Sequence, residues 1–173
     1  MSRVGRGLAA AVVAISLGAA GGCARFDEKP VEVAPPSVDA DCVVGTWHQR
    51  EGWQRLVTDD LVTEIRLISG GRTFVANADG TGTVEYTTPA FWKNTGGLEV
   101  TYSGRSTLTF TASDGEWSEV ADATGVTTQL TLNGRKDQPR AGVAGRTLTG
   151  TYRCGETDLI ISGEGFRQAF VRA

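Results

Sequence analysis

His48 is the only histidine in the 173-residue chain, so a nucleophile activated by an imidazole would have to be brought to this one position. Alternation along a strand turns His48 outward if Trp47 points in, and a general base still needs a positioned partner, so His48 reads as a surface or rim residue. The carboxylates Asp59-Asp60, and Glu116 with Glu119, fit solvated helix or turn faces better than an acid–base pair. Cys42 and Cys154 lack partners at metal-ligand spacing, there is no C-x-x-C, and no G-x-G-x-x-G, P-loop or EF-hand loop occurs. The expectation is no catalytic residue, no metal ligand and no cofactor.

What remains is binding, and the elements that would support it are β-strands. Glycine occurs 23 times and threonine 21 times, proline is scarce outside one tract, and 40% of the residues are hydrophobic. This is the composition of a β-protein with enough apolar material for one core. The net charge of −3 leaves no electrostatic footprint for nucleic acid. Turn signals recur at Gly70-Gly71, Asp79-Gly80, Gly96-Gly97, Ser103-Gly104, Asp114-Gly115, Thr124-Gly125, Asn133-Gly134, Gly145, Gly155 and Gly163 to Gly165, mostly 8 to 12 residues apart. Between them, Val126, Thr128, Leu130 and Leu132 alternate with polar residues, as do Val84 and Tyr86, then Leu98, Val100 and Tyr102, then Leu108 and Phe110, then Leu159 and Ile161. Period two with glycine-rich turns predicts an up-and-down barrel or a sandwich of about nine antiparallel strands.

Residues 53–68 break this pattern. Trp53, Leu56, Val57, Leu61, Ile65 and Ile68 fall near 3.6-residue spacing and predict a helix after the first strand. Residues 61–68 also read as a strand, because Ile65 and Leu67 alternate with Glu64 and Arg66. Two surface candidates stand apart from the strands. Phe91-Trp92 beside the turn residues Lys93-Asn94 could close a barrel mouth, present an anchor to a partner or plug the core locally. Residues 134–146, with Arg135, Lys136, Arg140 and Arg146 against Asp137 alone, read as a mobile loop that could touch an envelope protein, an anionic lipid or a wall polymer.

The start of the chain is an address. Arg3 and Arg6, an apolar stretch from Leu8 to Leu17 and small residues from Gly18 to Gly22 have the layout of an export signal over residues 1–22. The apolar run is shorter than the roughly 20 residues that a permanent membrane helix needs. Ala20-Gly21-Gly22-Cys23 resembles the lipobox of bacterial lipoproteins, with alanine where leucine is commonest. The resemblance implies that Cys23 becomes the mature N-terminus and carries acyl chains, holding the protein on the outer face of the cell membrane. Residues 24–41, with three of the five prolines and five acidic against two basic residues, form a tether that could reach about 55 Å. With Cys23 lipidated, Cys42 and Cys154 remain in an oxidising compartment, and a disulfide between them is expected.

Val44-Gly45-Thr46-Trp47 and Thr149-Gly150-Thr151-Tyr152 share a Gly-Thr-aromatic core. If these segments lie on the first and last strands of a closed meander and pair antiparallel, the flanking Cys42 and Cys154 sit at opposite ends, in tension with the disulfide. Gly45-Thr46-Trp47 resembles the G-x-W opening of lipocalin and calycin β-barrels. The order of Cys42 to Trp47, the hairpin segment 73–81 and the segment 152–159 is similar to lipocalin-like domains of lipoproteins from high-GC Gram-positive bacteria. The resemblance covers residues 42–173 and implies a mainly β, antiparallel up-and-down barrel of about 8–10 strands with one helix. The arginine that many lipocalins stack on this tryptophan is left unassigned, with Arg172 a candidate. On this reading the domain binds a small hydrophobic or amphipathic ligand, with Trp47, Tyr86, Phe91, Trp92, Tyr102, Phe110 and Trp117 as candidate contacts. The alternative is a solid barrel that serves the envelope as an interaction or structural module.

Overall fold

The computed structural model describes residues 42–58 and 61–173; the predicted signal, Cys23, the tether and Asp59-Asp60 lie outside the described residues. Twelve strands follow in order: β1 (Gly45–Thr58), β2 (Leu61–Ser69), β3 (Thr73–Ala76), β4 (Thr81–Lys93), β5 (Leu98–Ser113), β6 (Glu116–Asp122), β7 (Val126–Leu132), β8 (Arg135–Lys136), β9 (Arg140–Ala141), β10 (Ala144–Cys154), β11 (Asp158–Gly163) and β12 (Phe166–Arg172). They form one antiparallel sheet. Among the described residues there is no helix.

The helix predicted over residues 53–68 is therefore corrected to the end of β1 and the whole of β2. Trp53 to Thr58 pair with Arg66 back to Leu61. Val57, Val62, Thr63, Ile65 and Ile68 are β-branched residues that lose χ1 freedom in a helix and suit a pleated surface. The helical spacing arose because two strands of opposite direction, close in sequence, shift the phase of their apolar residues. Ile65 is fully buried while Val57, Val62 and Ile68 are exposed, which is alternation and not a helical stripe.

The ladders form a closed circuit. β1 pairs β12, β12 pairs β11, β11 pairs β10 and β10 pairs β6. β6 pairs β5, β5 pairs β4, β4 pairs β3, and β3 returns to β1. The remaining strands extend this circuit at one end. β2 lies between β1 and β4, continuing the line of β3, and β7 continues the line of β6 along β5. β8 and β9 pair with β7 ahead of β10. Residues 134–146, predicted as a loop, are thus largely an exposed strand edge, and Arg140 is held by Asp137 at 2.6 Å.

Several glycines read as turns lie instead at bends within these lines. Gly70 and Gly71 have φ of 75° and 120° and separate β2 from β3. A Cβ on Gly71 would stand 2.7 Å from the Gln49 carbonyl oxygen, so the bend needs glycine there. β1 shifts register between Gln49 and Glu51, and β4 between Tyr86 and Ala90, where Pro89 has no N–H to offer a ladder. Gly104 bends β5, and residues 123–125 separate β6 from β7. These irregularities fall at the same level round the circuit.

Each bend divides a lower core from an upper one. The lower core packs Trp47, Phe74, Phe110, Trp117, Leu159 and Phe170 among its buried side chains. Phe74 meets Phe110 at 5.8 Å, Trp117 at 6.1 Å and Phe170 at 6.2 Å between ring centroids, mostly edge to face. The upper core holds Ile65, Ala90, Trp92, Leu98 and Val100.

The lower end is closed by Cys42 and Cys154, which form the expected disulfide with Cα atoms 5.8 Å apart. The topological tension disappears because the second Gly-Thr-aromatic copy lies on β10, which is not the last strand. Cys154 is opposite Leu159, Leu159 is opposite Phe170, and Arg172 is opposite Trp47, so both cysteines come to the end where β1 starts.

Candidate functional site

Between the two cores, at the level of the bends, lies a cavity of about 260 Å³. Its aromatic wall is Tyr86, Trp92 and Tyr102, with Tyr86 stacked on Tyr102 at 5.9 Å and Trp92 edge-on to Tyr102 at 6.3 Å. Gln54 Nε2 donates to the Tyr102 hydroxyl at 2.7 Å. Burial raises the Tyr102 phenol above its ordinary 10.0, with Tyr86 adding to the shift and the Gln54 hydrogen bond and the Arg146 charge opposing it. The phenol is therefore a neutral hydrogen-bonding group at physiological pH.

The other walls are polar, and alternation explains how polar side chains arrive there. Gln49 follows Trp47 by two residues, Arg72 precedes Phe74 by two, Glu119 follows Trp117 by two, and Gln168 lies midway between Phe166 and Phe170. Each inherits the inward direction of its aromatic neighbour. Gln49, Glu119 and Gln168 are 4%, 5% and 6% exposed. Arg72 donates from Nη2 to Gln168 Oε1, and its Cζ stands 5.5 Å from the Phe170 ring centroid. Glu119 Oε2 accepts the Trp117 indole N–H at 3.0 Å. Both amide atoms of Gln49, Arg72 Nε and Trp92 Nε1 are buried with no hydrogen-bond partner in the protein. Neither Arg72 nor Glu119 belongs to an ion pair among the described residues.

The circuit is notched beside this cavity. β12 pairs with β1 only as far as Gln54 opposite Phe166, and β11 pairs with β10 only from Thr151 onward. Above the β11–β12 hairpin, Arg55 and Val57 face Arg146 and Leu148 across a second hollow of about 260 Å³, with Glu164-Gly165 at its foot. Gln54, Arg146, Leu148 and Gln168 line both hollows, so the notch leads toward the inner cavity.

Of the residues predicted to contact a ligand, Tyr86, Trp92 and Tyr102 come together at the cavity. Trp47, Phe110 and Trp117 lie in the lower core, and Phe91 is half-buried on the opposite face of β4 from Trp92. Phe91 and Trp92 thus part company, Trp92 joining the upper core. Glu119, read as part of a solvated carboxylate pair, points inward while Glu116 is exposed. Sequence reasoning passed over Gln49, Arg72 and Gln168 as well. The signal was present: a polar residue at an inward position of a strand whose neighbours two away are aromatic. His48 is exposed, with Nδ1 3.1 Å from Thr73 Oγ1.

Below the cavity, the Arg172 guanidinium lies 4.3 Å over the Trp47 ring. It donates to the carbonyls of Cys42 at 2.7 Å, Val44 at 3.0 Å and Glu156 at 2.8 Å. Trp47 Nε1 donates to the Val43 carbonyl at 2.7 Å. Gly45, with φ of 144°, leaves room for this guanidinium, since a Cβ there would meet Arg172 Nη1. Among the described residues no group of three or more His, Cys, Asp or Glu could hold a metal ion, and no helix is long and apolar enough to cross a membrane. Comparison with protein-family models, with curated proteins and with solved structures gives no match to this chain.

Proposed function

We propose that residues 42–173 form a lipocalin-like β-barrel that takes up a small amphipathic ligand, and that acylated Cys23 anchors it on the outer face of the cell membrane. The observation that carries the binding reading is the cavity between the two cores, where buried polar groups of Gln49, Arg72 and Trp92 lack protein partners. Buried polar groups are satisfied in the great majority of cases, and an exception at a cavity wall points to something that binds there. The closed circuit of strands and the Arg172–Trp47 stack support the barrel reading.

The second reading, a filled barrel acting as an envelope interaction module, is favoured by the close packing of the lower core. The two are separated by native mass spectrometry. The Cys23→Ala chain is expected in the medium, because it lacks the acylation site; retention in the membrane contradicts the anchor. Purified from its host without extraction, it is expected to carry an extra mass that organic solvent removes. A clean protein mass in every preparation, with no displacement of a fluorescent probe, favours the filled module.

A further inference from the structure

We propose that the cavity is built for a compact carboxylate ligand, whose oxyanion is taken by Arg72, Gln49 and Trp92 after entry through the notch above the β11–β12 hairpin. This rests on the reading of the cavity as a binding site and specifies what it binds. The unpartnered buried atoms are Arg72 Nε, Gln49 Nε2, Gln49 Oε1 and Trp92 Nε1, which amounts to three donor groups against one acceptor. Assigning the Gln49 amide the other way round leaves that balance unchanged. A donor-rich wall calls for an acceptor-rich ligand, and a guanidinium beside an amide and an indole N–H suits a planar oxyanion.

Charge agrees with this count. The cavity wall carries Arg72 and Arg146 against Glu119 alone, and the notch carries Arg55 and Arg146 against Glu164. An anion is favoured at the entrance and inside, where low dielectric magnifies the attraction. Position gives a direction. Gln49 lies on β1, Arg72 precedes β3 and Gln168 lies on β12, three neighbours in the circuit, whereas Glu119 lies on β6, four steps from β1 whichever way the circuit is followed. The oxyanion is therefore drawn to the β1 wall and turned from the β6 wall. Tyr86 and Tyr102 leave flat faces for an apolar body. A volume of about 260 Å³ lies just under the range of about 300–1,000 Å³ usual for ligand pockets, so a long acyl chain does not fit.

The test uses three probes with one skeleton and different heads: phenylacetate, phenylacetamide and phenethylamine. Each is titrated by calorimetry, and by observation of the indole N–H resonances, into the full chain carrying Cys23→Ala. Phenylacetate is expected to bind at least tenfold more tightly than the other two and to move the Trp92 Nε1–H resonance, while that of Trp47, bonded to Val43, stays in place. Arg72→Met is expected to remove the preference, and Gln49→Leu to weaken phenylacetate several-fold. The comparison among probes on the unaltered cavity stands even if a variant fails to fold. Equal or tighter binding of the amide or amine, with Trp92 still responding, overturns the carboxylate assignment and leaves the cavity reading standing. A preference that survives Arg72→Met also overturns it. No response to any probe overturns both.

Discussion

Replacing Cys42 and Cys154 together by alanine is expected to lower the free energy of unfolding by about 4–5 kcal/mol. The two cysteines are 112 residues apart in sequence, so the bond closes nearly the whole described domain into one loop. In the chain-entropy model the cost of opening that loop falls on the denatured state, which gains freedom once the cross-link is gone. The native state loses little packing, because Cys154 is half-buried at the rim of the lower core. The bond also ties the segment before β1 to the end of β10, across the ends of β11 and β12, where the circuit returns on itself. Urea unfolding of the double variant beside the oxidised protein gives the number. A loss below about 1 kcal/mol means that the denatured chain is already held compact by other contacts.

Arg172→Met is expected to cost about 2–4 kcal/mol, although it changes only one side chain in the last strand. The guanidinium satisfies three carbonyls that come from two separate segments, residues 42–44 before β1 and Glu156 between β10 and β11. A well-shielded hydrogen bond to a charged group contributes about 1.5–3 kcal/mol net, and these three, exposed or only part-buried, contribute less because water can take the place of the guanidinium. The stack on Trp47 adds about 1–2 kcal/mol where it is screened from solvent. Methionine keeps the apolar stem and loses the fork. Arg172→Lys is expected to recover less than half of the loss, because a point charge cannot address three carbonyls and lie flat on an indole. The check is equilibrium unfolding followed by tryptophan emission, and equal stability of the lysine variant and wild type would show that geometry at this end is immaterial.

Much of the fold was legible because its lower half obeys one rule. Val84, Leu108, Phe110, Leu159 and Ile161 alternate in the sequence and are buried in the structure. The turns at Asp79-Gly80, Gly96-Gly97, Asp114-Gly115 and Asn133-Gly134 do join paired strands. Glycine marks both hairpins and bends, however, and spacing alone does not separate them. Gly70-Gly71, Gly104 and Gly125 sit inside long strand lines, and only the ladders of their neighbours reveal it. The site was harder to read for a related reason. Aromatic character marks Tyr86, Trp92 and Tyr102, but equally Trp47, Phe110 and Trp117, which fill the core. What distinguishes the cavity is where the inward series turns polar, at Gln49, Arg72, Glu119 and Gln168, and polar residues in strands are ordinarily assigned to water.

The proposed binding site requires the strand circuit to be solid below its bends and hollow at them, and one pair of substitutions tests that directly. Ala112 is fully buried in the lower core, whereas Ala121, two residues beyond Glu119 in β6, lines the cavity. Overpacking a filled core costs about 1–3 kcal/mol, while filling a void costs little. In urea unfolding, Ala112→Leu is expected to show that loss and Ala121→Leu to stay within about 0.5 kcal/mol of wild type. Equal penalties at the two positions would contradict a hollow between the cores.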